Sequence, residues 1–150
     1  DDVIKVEGAF GSFFLRDDLS APHIMIAGGT GLAPMLSMID VIRQKSGRKP
    51  PTVLSFGCLD EASLFALEDL ELRTFWMREL ELRISLDQGS SSSPYRIGNP
   101  VEAITAEDVN PATVAYLCGP PGMVNAAFEH LQKLGVLPAN IHAEQFVSSE

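Results

Sequence analysis

Two glycine-rich turns, each closing an apolar run and opening a helical pattern, carry the chemistry that this sequence can do. The first lies in HIMIAGGTGLAP, His23 to Pro34, where a buried strand runs into Gly28, Gly29, Thr30 and Gly31 and then into a helix with Pro34 in its first turn. Such a turn presents backbone N–H groups and the positive end of a helix to an anion. The second is AYLCGPPGM, Ala115 to Met123, in which an apolar strand ends at Cys118 and Gly119 before Pro120, Pro121 and another helix. Two such crevices in one domain predict a single dinucleotide lying across both.

Holding these turns in place requires a sheet. Short apolar runs predict strands at Ile24–Ala27, Val53–Gly57, Leu82–Leu86, Val114–Cys118 and Ile141–Glu144. Between them, Leu32, Leu36, Ile39 and Ile42 recur at helical spacing, as do Leu64, Leu67, Leu70 and Phe75, and Met123, Ala127, His130 and Leu134. Apolar strands alternating with amphipathic helices predict an α/β fold, a parallel sheet covered on both faces with right-handed crossovers. Ahead of it, GAFGSFFL and the alternation around Val3 and Lys5 predict short antiparallel strands, and Asp17 to Pro22 a polar connector. The stretch from Gln88 to Pro100, with QGSSSSP, has no periodicity and reads as a mobile loop.

A chain of 150 residues with 45% hydrophobic composition suits one such domain. Its formal net charge of -9 repels polyanions and argues against nucleic acid as a partner. No segment approaches the ~20 uninterrupted apolar residues of a membrane span, and DDVIKVEG lacks the regions of a signal peptide, so a cytoplasmic protein is expected. Cys58 and Cys118 are too few for a disulfide framework or a four-cysteine iron–sulfur site. His23, His130 and His142 have no metal-ligand spacing with cysteine, so no metal site is expected.

The spacing Gly29-x-Gly31-x-x-Pro34 departs from the ordinary GxGxxG fingerprint, since proline stands in place of the third glycine. No acidic residue ends the second strand either. GGTGLAP, a second strand ending in Phe56 and Gly57, then CGPPGM and HAEQF, taken in this order, instead resemble the ferredoxin-NADP reductase superfamily. Within it the chain is most similar to NADH-dependent reductase components of bacterial ring-hydroxylating dioxygenases and related oxygenases, over Val3 to Phe146.

The resemblance implies a five-stranded parallel sheet of order 3-2-1-4-5 flanked by helices, preceded by an antiparallel FAD-binding barrel. Residues 1–22 would be the remnant of that barrel and a connector, and residues 23–150 the NAD(P)-binding domain. It implies hydride transfer from NADH to FAD and then electron delivery to a ferredoxin or an oxygenase. FAD would be held mainly by the upstream domain of the same protein, and a 2Fe-2S cluster by a separate domain or partner. The isolated domain is expected to be inactive.

Carried over by position, Gly29, Thr30 and Gly31 would hold the pyrophosphate, with Ala33 and Pro34 opening the helix beneath it. Gly57, Cys58 and Asp60 would belong to the cofactor site beyond the second strand. Cys118 would sit beside the nicotinamide ring, in a pocket shaped by Gly119, Pro120, Pro121 and Met123. Taken alone, a cysteine at a strand end is a small buried hydrophobe; the CGPPGM context is what assigns it the ring. Glu144 and Phe146 would lie beside the nicotinamide and flavin, with Phe146 on a flavin face and Glu144 either orienting the ring or cushioning charge.

Many NADPH-using members place an arginine just after the second strand, whereas Cys58, Leu59 and Asp60 stand there in this chain. Residues 51–72 hold no lysine or arginine but do hold Asp60, Glu61, Glu68, Asp69 and Glu71, so NADH is expected over NADPH. A flavohaemoglobin-like or free flavin reductase would share these features. A non-catalytic nucleotide-sensing module would need the phosphate turn but neither CGPPGM nor EQF.

Overall fold

The computed structural model describes residues 21–60, 64, 67–89 and 94–145. The expected antiparallel strands before Asp17, most of the connector, and Phe146 lie outside the described residues. The elements in chain order are β1 (His23–Gly28), α1 (Leu32–Gln44), β2 (Thr52–Cys58), α2 (Leu67–Trp76), β3 (Leu80–Leu86), β4 (Arg96–Ile97), β5 (Val114–Gly119), α3 (Pro121–Leu134) and β6 (Ile141–Gln145). They form a six-stranded sheet of order β4-β3-β2-β1-β5-β6 in which every described pairing is parallel.

The five long strands follow the expected 3-2-1-4-5 order, and the sixth corrects the expectation of five. β4 lies inside the stretch read as a loop. Arg96 and Ile97 pair with Ser85 and Leu86, and the Gly98 N–H donates to the Leu86 carbonyl at 2.9 Å. Two residues are too few to show a period of two, so this edge strand leaves no pattern in the sequence.

β1 is buried along its whole length, as a central parallel strand with helices on both faces should be. On one face Met25, Ala27, Leu54, Phe56 and Tyr116 pack against Met35, Ile39 and Ile42 of α1 and Leu70 of α2. On the other, Ile24, Ile26, Ala115 and Leu117 meet Val124, Ala127 and Leu131 of α3, with Val101 and Ile104 from the crossover that follows β4.

The helices depart from the sequence stripes in detail. Phe75, grouped with the buried side of its helix, is 82% exposed. At about 100° per residue the five positions separating it from Leu70 carry it well off the buried face. Leu64 precedes α2 and packs against the core from outside it. In α3 the buried stripe is Val124, Ala127 and Leu131, so Met123, His130 and Leu134 flank it half-buried. Pro121 at the first helical position starts α3, and Gly135 ends it in the left-handed region at φ 109°, its N–H reaching back to Gln132.

Because all strands point the same way, the C-terminal ends of β1, β2, β3 and β5 share one rim. β1 is also where the order reverses, since the chain leaves it toward β2 and later returns on its other side to β5. A crevice opens at such a point.

Candidate dinucleotide-binding site

The crevice is built backbone against backbone. Gly29, Thr30 and Gly31 form a single 3-10 turn between β1 and α1. A Cβ on Gly31 would fall 2.6 Å from the carbonyl carbon of Cys118 and closer still to its oxygen, so only glycine lets this turn rest on β5. A Cβ on Gly28 would meet the Met123 sulfur at 2.9 Å, and one on Gly119 would meet the Met123 methyl at 3.0 Å. Met123 thus packs across both glycine turns. Gly29 adopts φ 56° with nothing within 4 Å of where its Cβ would stand, so its backbone is open to a ligand.

A cleft of about 400 Å3 opens here. Gly28 and Gly29 form its floor, Gly57, Cys58 and Leu59 extend it beyond β2, and Asp87 beyond β3. Asn99 and Pro100 wall one side, with Pro120 and Met123 at the end nearer β5. From Gly29 to Asp87 the cleft crosses two strand spacings, ~10 Å, the scale of a pyrophosphate and its adjoining ribose. Asp87 brings the one charge among the described lining residues.

The 3-10 turn opens directly into the thirteen residues of α1, whose first turn holds no acidic side chain to compete with an anion. Gly29 and the start of α1 can therefore take an anionic group over the turn. Asn99 and Met123 also face a second cleft of about 390 Å3 along the outer side of α3, where Glu102, Glu129, His130 and Lys133 are exposed or half-buried.

The remaining expected residues take other places. Cys118 is fully buried one strand from the floor, paired in register with Glu144. Its thiol is pushed up to about 12 by burial and by the Glu144 carboxylate, so it stays protonated and is no nucleophile. Glu144 is 1% exposed, and burial holds its carboxyl above the usual range. Neither of its oxygens has a hydrogen-bond partner among the described residues. An orphaned buried carboxyl beside the second glycine turn suits a ligand carrying a polar group.

Cys58 is half-buried, its thiol raised first by burial and then by Asp60 and Asp87. Its sulfur donates to the Asp60 carbonyl at 3.6 Å, which puts Asp60 just behind the rim. Pro34 is buried in the first turn of α1, while Ala33 and Pro121 are exposed and are not among the residues lining the cleft. Among the described residues no group of three or more His, Cys, Asp or Glu side chains gathers as a metal site. His23 is a core residue whose Nδ1 lies 2.8 Å from the Ala21 carbonyl, and His130 binds the Ile104 carbonyl at 2.7 Å.

Asp87 and the wall formed by Asn99 and Pro100 were not among the expected site residues. The signals for them were an acidic residue closing the third apolar run and the breaker cluster Gly98, Asn99, Pro100.

Residues 25–129 match the family described as Oxidoreductase NAD-binding domain. The chain belongs to that family. The toluate 1,2-dioxygenase electron transfer component of Pseudomonas putida is similar to this NAD-binding domain, 33% identical over 99% of the chain and 44% of its own length. The 2-halobenzoate 1,2-dioxygenase electron transfer component of Burkholderia cepacia is 35% identical over 97% of the chain and 43% of its own length. Among solved structures, Amycolatopsis cytochrome P450 reductase superposes with a TM-score of 0.83 at 28% identity, over 93% of this chain and 43% of that one. The ferredoxin reductase in carbazole 1,9a-dioxygenase gives 0.73 at 26% identity, over 91% and 40%. The NAD-binding domain thus spans less than half the length of these relatives. Among its described residues no helix is long and apolar enough to cross a membrane.

Proposed function

We propose that this domain is the NADH-holding half of a flavin-dependent, cytoplasmic electron-transfer reductase whose FAD-binding domain belongs to the same longer protein. Its electron acceptor is an oxygenase or the 2Fe-2S ferredoxin serving one. The observation that carries this reading is the joining of the two glycine turns by Gly31 and Met123 into one crevice, with Cys118 and Glu144 directly beneath its β5 side.

The chemistry supplied there, when NADH and FAD are held, is hydride transfer followed by release of single electrons to the acceptor. The domain's own residues bind and orient. Backbone N–H groups of Gly29, Thr30 and Gly31 take the pyrophosphate, and α1 adds its positive end. Leu59 and Asp87 receive the adenosine ribose, where a carboxylate accepts hydrogen bonds from hydroxyls and repels a 2′-phosphate. Cys118, Gly119 and Pro120 shape the nicotinamide end, the neutral thiol acting through its size. The buried, unpartnered carboxyl of Glu144 orients the ring through its polar substituent. Phe146 covers a flavin face.

Cys118→Ala in the longer, flavin-loaded protein tests this division of labour. At saturating NADH, stopped-flow reduction of the flavin is expected to slow about tenfold while NADH affinity changes less than about threefold, since affinity resides at the phosphate and adenosine ends. An unchanged reduction rate would reduce Cys118 to a small buried hydrophobe.

A further inference from the structure

We infer that Ser55, buried within β2 and outside the cleft, is a positioning residue for dinucleotide binding, acting together with Gly57 by fixing the wall formed by Asn99 and Pro100. The inference rests on the dinucleotide reading of the cleft and adds to it a residue that touches no ligand.

Serine is an odd choice at this position. β2 is a parallel strand buried between helical and crossover layers, where apolar side chains are the rule, and Ser55 is completely buried. A buried hydroxyl is tolerated when it is bonded. Ser55 Oγ donates to the carbonyl oxygen of Pro100 at 2.6 Å, across 45 positions of sequence.

Two residues further along the same face stands Gly57, where a Cβ would fall 2.5 Å from Cδ and 2.6 Å from Cγ of Pro100. The proline is therefore gripped twice, its carbonyl by a hydroxyl and its ring by the space that a missing side chain leaves. Having no N–H, Pro100 cannot be tied through a donor of its own. Its neighbour is fastened from β4 and β3, since Arg96 Nη1 donates to the Asn99 carbonyl at 2.9 Å and to Ser85 Oγ at 3.1 Å. Gly57, Asn99 and Pro100 face the cleft. A shift of this wall changes the width of the slot at the adenosine end, where small displacements are costly.

The alternative is that Ser55 merely stabilises the fold, and Thr52 separates the two. It lies on the same strand, is equally buried, and donates Oγ1 to the carbonyl of Pro50 at 2.9 Å, but at the end of β2 remote from the cleft. Binding of ADP-ribose to the 150-residue chain is measured by calorimetry, alongside thermal melts, for wild type, Ser55→Ala and Thr52→Val. Ser55→Ala is expected to raise the Kd for ADP-ribose about tenfold, and Thr52→Val to leave it within about twofold while lowering the melting temperature comparably.

Pro100→Gly, which empties the Gly57 recess while keeping Ser55, is expected to weaken binding as Ser55→Ala does. It stands in should Ser55→Ala fold poorly. Wild-type affinity in a folded Ser55→Ala, or in Pro100→Gly where Ser55→Ala does not fold, or an equal loss in Thr52→Val, overturns the inference. Failure of the wild-type chain to bind ADP-ribose at all overturns the dinucleotide reading, and this inference with it.

Discussion

Gly31→Ala is expected to abolish measurable NADH binding. Of the substitutions at the glycine turns it is the one with nowhere to go. The new methyl would lie 2.6 Å from a backbone carbon of β5 and nearer still to the carbonyl oxygen, on a strand that is buried along its whole length and paired on both edges. Backbone cannot rotate aside as a flexible side chain can, so either the turn lifts off β5 or β5 shifts in the sheet. Overpacking of this kind costs about 1–3 kcal/mol or more of stability, and the lifted turn also moves the N–H groups that would meet the pyrophosphate. Loss of affinity beyond about a hundredfold is expected by calorimetry, with a lowered melting temperature. Gly122→Ala, in the first turn of α3 with nothing within 4 Å, is the matched control and is expected to bind as wild type does. Wild-type affinity in Gly31→Ala would mean that the turn does not form the phosphate site.

The second large effect concerns the cofactor's 2′ position. Asp87 is the one charge among the described residues facing the cleft, and Leu59, 49% exposed, stands at the same end. A 2′-phosphate placed there meets a carboxylate and no cation, so NADPH is expected to bind about a hundredfold more weakly than NADH at low salt. Asp87→Asn combined with Leu59→Arg removes the repulsion and supplies a bidentate phosphate partner, and is expected to bring the two affinities within about tenfold. The wild-type gap should shrink as salt is raised. Equal binding of NADH and NADPH to wild type would show that the 2′ position points away from Asp87.

The parts legible in the sequence were those with a strong local cause. The long strands read as apolar runs because a doubly covered parallel sheet demands them, and each was found within one or two residues of its observed ends. Both glycine turns were legible because so few residue types permit the close approach of Gly31 to Cys118 and of Met123 to Gly28 and Gly119. What stayed hidden was held by contacts distant in sequence. β4 is two residues long and is fastened through the Arg96 side chain. β3 begins earlier than read because its face toward the crossover is polar. There Arg83 forms a bidentate pair with Asp108 at 2.8 Å and bonds the Ala103 carbonyl at 2.7 Å. That pairing holds the Asp108 carboxyl below its usual range. The cleft wall at Asn99 and Pro100 depends on Ser55 and Gly57, some forty residues away, which no local pattern can announce.

This chain alone, without a flavin domain, is expected to bind NADH across its two glycine turns. Titrating NADH into the isotopically labelled 150-residue protein while following its backbone amides tests it most directly. The expected result is a preparation that carries no flavin, saturable shifts at Gly29, Gly57, Leu59, Asn99 and Met123, and none at Glu129 or Lys133 on the outer side of α3. Absence of saturable shifts, or shifts confined to that outer face, would contradict it.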